Sequence, residues 1–148
     1  GRVATVADTT LIAGDAADLR ISSAGDLIAK PYSIPELDWQ YAAATAGILN
    51  TTVAVTIKAA AAAGLRNYCT GFDVMYEALT NATELCIRDG AAGTVIYRTK
   101  LPAGAAGRFS VELPTPLKGT AATLMEVVTL TASGAGAVYF NAQGYVAP

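Results

Sequence analysis

From Thr51 onward the chain carries apolar side chains at every second position, and that period is what most limits how it can fold. Val53, Val55 and Ile57 alternate with Thr52, Ala54, Thr56 and Lys58. Tyr68, Thr70, Phe72, Val74 and Tyr76 share one parity of a longer run, and Leu85 and Ile87 alternate with Glu84, Cys86 and Arg88. Val95 and Tyr97 follow, then Phe109, Val111 and Leu113, a run from Thr123 to Thr131 and a last one from Ala137 to Val146. Because successive side chains of a strand point to opposite faces, this spacing predicts half-buried antiparallel strands. Turn formers separate the runs at Ala63-Gly64, Thr80-Asn81, Asp89-Gly90, Pro102 to Gly107, Pro114 to Gly119 and Ser133 to Gly136. The only good helix former, the alanine tract at 59–63, stops at Gly64 and is too short to nucleate.

Residues 1–50 read differently. Gly14, Gly25, Pro31, Pro35 and Gly47 break every pattern, and short apolar pairs such as Leu11-Ile12 and Leu27-Ile28 sit among Asp15, Asp18 and Asp26. A segment this poor in large apolar groups cannot offset its own ordering entropy and needs a surface to lie on. The expected organisation is therefore an extended N-terminal arm over 1–50 and a β-sandwich domain over 51–148. Seven strands are legible, and an eighth if the arm supplies one. A jelly roll of two antiparallel sheets and about eight strands is the most economical architecture for that count.

Composition narrows the chemistry. The chain of 148 residues has no histidine, which removes the commonest general base and the commonest metal ligand together. That argues against an enzyme, including an iron-dependent oxygenase on a related barrel, and against any cofactor or metal. Ten basic against twelve acidic residues, with no basic cluster, argue against nucleic acid as a partner. No apolar run approaches the roughly 20 residues of a membrane-spanning helix, so no membrane is expected either. Gly1 to Ala4 resembles no secretion signal, and Val6 stands where myristoylation wants Ser or Thr.

The remaining candidates each have a plain alternative. Cys86 shares a strand face with Glu84 and Arg88, but a small hydrophobe on a sheet is the simpler account. A turn near Asn81 would place Cys86 opposite residues 75 or 76 rather than Cys69, so both cysteines are expected as reduced thiols made in a cytosolic setting. The Asp15/Asp18 and Glu36/Asp38 pairs lie in irregular chain and read as turn residues. The glycine-rich pieces 89–94 and 104–108 precede strands, not helices, so they read as hairpin loops rather than phosphate cradles. The aromatic group Tyr32, Trp39 and Tyr41 stands out in the arm. Large aromatics supply much of the contact energy where chains meet, so these three are the candidate partner contacts. Equally, they could pin the arm to its own sandwich.

Several short stretches carry a family resemblance: Gly64-Leu65-Arg66-Asn67-Tyr68, Glu84 to Gly90, Thr94-Val95-Ile96-Tyr97, Pro116 to Thr120 and Asn141-Ala142-Gln143-Gly144-Tyr145. Over roughly residues 39 to 146 the chain resembles jelly-roll cement, or decoration, proteins of tailed double-stranded DNA bacteriophages. The resemblance implies a non-enzymatic virion protein, made in the host cytoplasm, on the outer capsid surface. Its partners would be the major capsid protein and other copies of itself, as a dimer or trimer. The alternative is a head-fibre or tail-associated module binding a host glycan, with Tyr97, Tyr139, Tyr145 and Asn141 as the platform.

Overall fold

The computed structural model describes residues 37–148, together with the backbone of two short strands before them. Those strands, β1 (Arg20–Ile21) and β2 (Leu27–Ile28), pair antiparallel within a unit spanning Gly1–Tyr32. The second unit, Ser33–Pro148, is an all-β sandwich. Its strands are β3 (Asp38–Tyr41), β4 (Ile48–Leu49), β5 (Val55–Lys58), β6 (Arg66–Tyr76) and β7 (Thr83–Asp89), then β8 (Thr94–Leu101), β9 (Gly107–Lys118), β10 (Met125–Thr129) and β11 (Ala137–Ala147).

One sheet runs β5-β10-β7-β8 and the other β3-β11-β6-β9, with β4 also on β11. Every pairing is antiparallel. If β3 is taken as the first strand and β5 to β11 as the second to eighth, the sheets read 1-8-3-6 and 2-7-4-5. This is jelly-roll connectivity: apart from the β7–β8 step the chain alternates between the sheets, and each sheet seats late strands between early ones. The fold class expected from the alternation is the one observed.

The seven legible strands are β5 to β11, and the eighth does come from the stretch before residue 51. Residues 38–49, assigned by sequence to the arm, hold β3 and β4, both hydrogen-bonded to β11. The physical reason is Trp39: with Tyr41 it alternates inward along β3, and its buried indole gives a short segment enough apolar area to dock.

Two connections differ from expectation. β6 and β7 form no hairpin about Asn81, because they lie in opposite sheets; Cys86 pairs with Arg98 and Val128 instead. The glycine-rich stretch at 104–107 is likewise a crossover between sheets, whereas 89–94 is a true hairpin between β7 and β8. In that hairpin Gly90 takes a positive φ of 94°, which a residue without Cβ adopts at little cost. The alanine tract forms no helix. Leu65 closes a turn onto Ala62, and the fully buried Asn67 ties the loop down through Nδ2 to the Ala59 and Thr123 carbonyls (2.9 and 3.0 Å).

The core lies between the sheets. Phe72 stacks on Phe140 at 5.5 Å and meets the edge of Tyr97 at 4.8 Å, among buried Val74, Leu85, Ile87, Met125, Val127 and Val138. The parity from Tyr68 to Tyr76 is broken at Thr70. Against β11, Gly71 opposes Gln143 and Cys69 opposes Gly144, so Thr70 is the extra residue. Against β9, Cys69 opposes Leu117 and Gly71 opposes Glu112, so residues 113–116, with both prolines, loop away from the ladder. The bulge turns Tyr68 to the outer face, where it stacks on Tyr145 at 4.9 Å, while Phe72, Val74 and Tyr76 face inward.

Candidate functional site

Of the three candidate contact aromatics, Tyr32 lies outside the described residues. Trp39 is only 6% exposed, and its Nε1 donates to the Tyr145 carbonyl at 3.2 Å. Gly144 lies directly opposite, and a Cβ there would meet the indole at 2.7 Å and collide with the Tyr68 carbonyl. Tyr41 is half-buried against the core, and burial raises its phenol above the ordinary value. Trp39 and Tyr41 therefore act together in pinning β3 to the sandwich.

The four residues of the glycan platform do not converge. Tyr97 packs inward on Phe72, and Tyr145 is buried against Tyr68. Tyr139, Asn141 and Tyr145 share the outer face of the β3-β11-β6-β9 sheet, but only Tyr139 and Asn141, two apart on β11, are open on it.

Both cysteines are free and buried. Burial pushes the Cys69 thiol up to about 11, although a backbone hydrogen bond at Gly71 works the other way. Cys86 is also raised by burial, against the pull of Arg98 and Arg88. Neither is poised as a nucleophile, since the thiolate is the reactive form. Asp15 and Asp18 lie outside the described residues, and no group of three or more metal-ligating side chains occurs among the described ones.

What the structure does assemble is a trough on the outer face of the β3-β11-β6-β9 sheet, lined by polar side chains and by apolar surface from Tyr41, Phe72 and Ala142. It encloses about 390 Å³ beside the Thr70 bulge, with Gly71 lying among its walls. Gln40 comes from β3, Asn141 and Gln143 from β11, Asp73 from β6, and Ser110 and Glu112 from β9. The pairing explains the assembly: Gln40 opposes Gln143, which opposes Gly71, which opposes Glu112. One register step along, Asn141 opposes Asp73, which opposes Ser110. Ser110 Oγ donates to Asp73 Oδ1 at 2.7 Å, and Arg108 Nε donates to the same oxygen at 3.0 Å. The Ser110 bond foremost, then Arg108, holds the Asp73 carboxyl below the usual carboxylate range. Asn141 Oδ1 accepts from the Ala43 amide at 2.9 Å, which leaves its NH2 group turned to other partners. Past Asp73 and Asn141 the trough continues to Met75, Arg108 and Tyr139.

The other outer face carries ion pairs. Arg88 meets Glu126 at 3.4 Å and Arg98 meets Glu84 at 3.1 Å, across neighbouring strands. Sequence reasoning missed the trough because its residues come from four strands. Gly71 alone, isolated in a strand, gave a local sign of a bulge.

No protein family and no curated protein sequence matches this chain. Among solved structures it is similar to the coat protein of Tobacco streak virus, at 12% identity over 80% of this chain and 92% of that one, with a TM-score of 0.40. A protein of the disulfide-linked pili of Bacillus endospore appendages matches at 14% identity over 76% and 85% of the two chains, with a TM-score of 0.35. A chain of infectious bursal disease virus, Gx strain, matches at 15% identity over 74% of this chain and 28% of that one, with a TM-score of 0.25. Likenesses this distant carry no argument about function.

Proposed function

We propose that this chain is a structural virion protein of a tailed bacteriophage. It binds the outer surface of an icosahedral capsid and bridges neighbouring major capsid protein subunits as a cement. Copies also contact one another on the shell. The observation that carries the reading is the pairing of a closed jelly-roll sandwich from Ser33 onward with a separate N-terminal unit, Gly1–Tyr32. The jelly roll is a recurrent solution for shell, lectin and cupin proteins. The cupin use depends on imidazole ligands, and this sequence has no histidine.

In this reading the sandwich stands on the shell and residues 1–32 are the arm that lies along neighbouring subunits. We end the arm at 32 rather than 50 in this reading, because residues 38–49 supply strands to the sheet. An arm suits the task. Many weak contacts held in one lattice raise each other's effective concentration, so modest affinity per contact suffices.

The test compares the full chain with a chain beginning at Ser33, each added to purified undecorated shells. The shortened chain should keep the cooperative melt and β-rich circular dichroism of the sandwich but lose shell binding. Mass spectrometry of decorated particles should find copies of the full chain in the hundreds, scaling with the shell subunit. Wild-type occupancy by the shortened chain would refute the arm, and a dozen copies per particle would point to a vertex or tail component instead.

A further inference from the structure

We infer that the outer-face trough of the β3-β11-β6-β9 sheet is a binding site for a neutral polyhydroxylated ligand, a single pyranose ring of a glycan. Three independent observations converge on it. The first is shape. At about 390 Å³ the space lies at the small end of small-ligand sites, which run from about 300 Å³ upward. It is bounded where the Thr70 bulge bends the central strand against both neighbours at once. Bulges of this kind gather beside sites because they re-aim side chains.

The second is the glycine. A Cβ on Gly71 would stand 3.1 Å from the Val111 carbonyl, 3.4 Å from Glu112 Oε2 and 3.7 Å from Gln143 Nε2. A side chain at 71 would crowd the space that these groups border.

The third is the hydrogen-bonding inventory. The amides of Gln40 and Gln143, the NH2 group of Asn141, the second oxygen of Asp73 and the Glu112 carboxylate make no hydrogen bond to other described residues. They bring donors and acceptors together from four strands. A sugar hydroxyl donates one hydrogen bond and accepts others, so vicinal hydroxyls suit such a mixed set. Charge points the same way. Two carboxylates against one Arg108 leave the trough slightly negative, which disfavours an anion. Most of its polar groups are uncharged amides and hydroxyls, which suit a neutral ligand better than a cationic one.

This site shares Asn141, and at its far end Tyr139, with the platform expected from sequence, and it does not depend on attachment to a shell. The experiment follows amide shifts of the 15N-labelled full chain during titration with methyl glycosides of glucose, galactose, mannose and N-acetylglucosamine. A lysine-containing pentapeptide serves as a parallel arm. At least one glycoside should shift the Gly71 amide and the Gln40, Asn141 and Gln143 side-chain amides in fast exchange, with Kd in the millimolar range. The exposed double variant Gln40→Ala/Gln143→Ala, whose unshifted core resonances certify its fold, should bind that sugar at least tenfold more weakly. Absence of shifts at these amides by about 50 mM of every glycoside, well past the millimolar affinity of a single ring, overturns the proposal. So does unchanged affinity in the double variant, or a response to the peptide alone.

Discussion

Trp39 is the only tryptophan in the chain, and its position on a four-residue strand makes it the anchor of an edge that little else secures. Its ring fills the space left by Gly144, and its indole N–H satisfies a backbone carbonyl. Trp39→Ala should therefore cost about 3–5 kcal/mol, the range for truncating a large buried aromatic. Urea titration by far-UV circular dichroism measures it, and a loss below about 1 kcal/mol would mean that β3 is held by its backbone ladder alone. Asp73 provides a pH-dependent counterpart. Its carboxyl is held below the ordinary value by Ser110 first and by Arg108, so the folded state favours the ionised form. The resulting stabilisation is fully present above the unfolded-state pKa near 4 and is lost as pH falls through the lower folded value. Because Arg108 is largely exposed, the effect should be under about 1 kcal/mol. The stability difference between wild type and Asp73→Asn should accordingly be constant from pH 8 to 5 and shrink below pH 4. A difference that grew on acidification would show that the carboxylate is not favoured in the native state.

Strands were legible wherever alternation ran for several residues, because burying one sheet face leaves that imprint and little else does. β5 to β9 and β11 show it, whereas β10 is buried along its whole length and reads as a continuous run. β3 is too short to show a period, and Pro31 and Pro35 upstream suggested irregular chain; the usable sign was the i, i+2 spacing of Trp39 and Tyr41. Partners were not legible. A turn at Asn81 looks like a hairpin in sequence, yet the chain uses it to pass from one sheet to the other. Alternation records which face a residue takes and says nothing of which strand lies beside it. The bulge at Thr70 was hidden for a related reason. Tyr68 and Phe72 share a parity in sequence but occupy opposite faces, since one inserted residue reverses every side chain before it. The trough inherits both kinds of invisibility, because Gln40, Asp73, Ser110 and Gln143 become neighbours only once four strands are in register.

At the scale of the whole molecule, the jelly-roll order sets how the chain must find its native state. Among the described residues of the sandwich, only β7 and β8 form a hairpin of consecutive strands. The ladders that close the sandwich join Trp39 to Gly144 and Val55 to Val127, so they form only after long loops have closed. Loop closure costs entropy before any contact repays it, and folds dominated by such pairings refold in milliseconds to seconds rather than microseconds. Stopped-flow refolding monitored by Trp39 fluorescence should thus give a main phase on that slow scale. The six prolines add slower isomerisation phases, which a brief double-jump unfolding pulse removes while leaving the main phase intact. Amide protection in a pulse-labelling experiment should appear first in the β7–β8 hairpin and last along β3 and β5. A sub-millisecond main phase, or protection of β3 ahead of the hairpin, would mean that the sandwich nucleates on contacts other than its local ones.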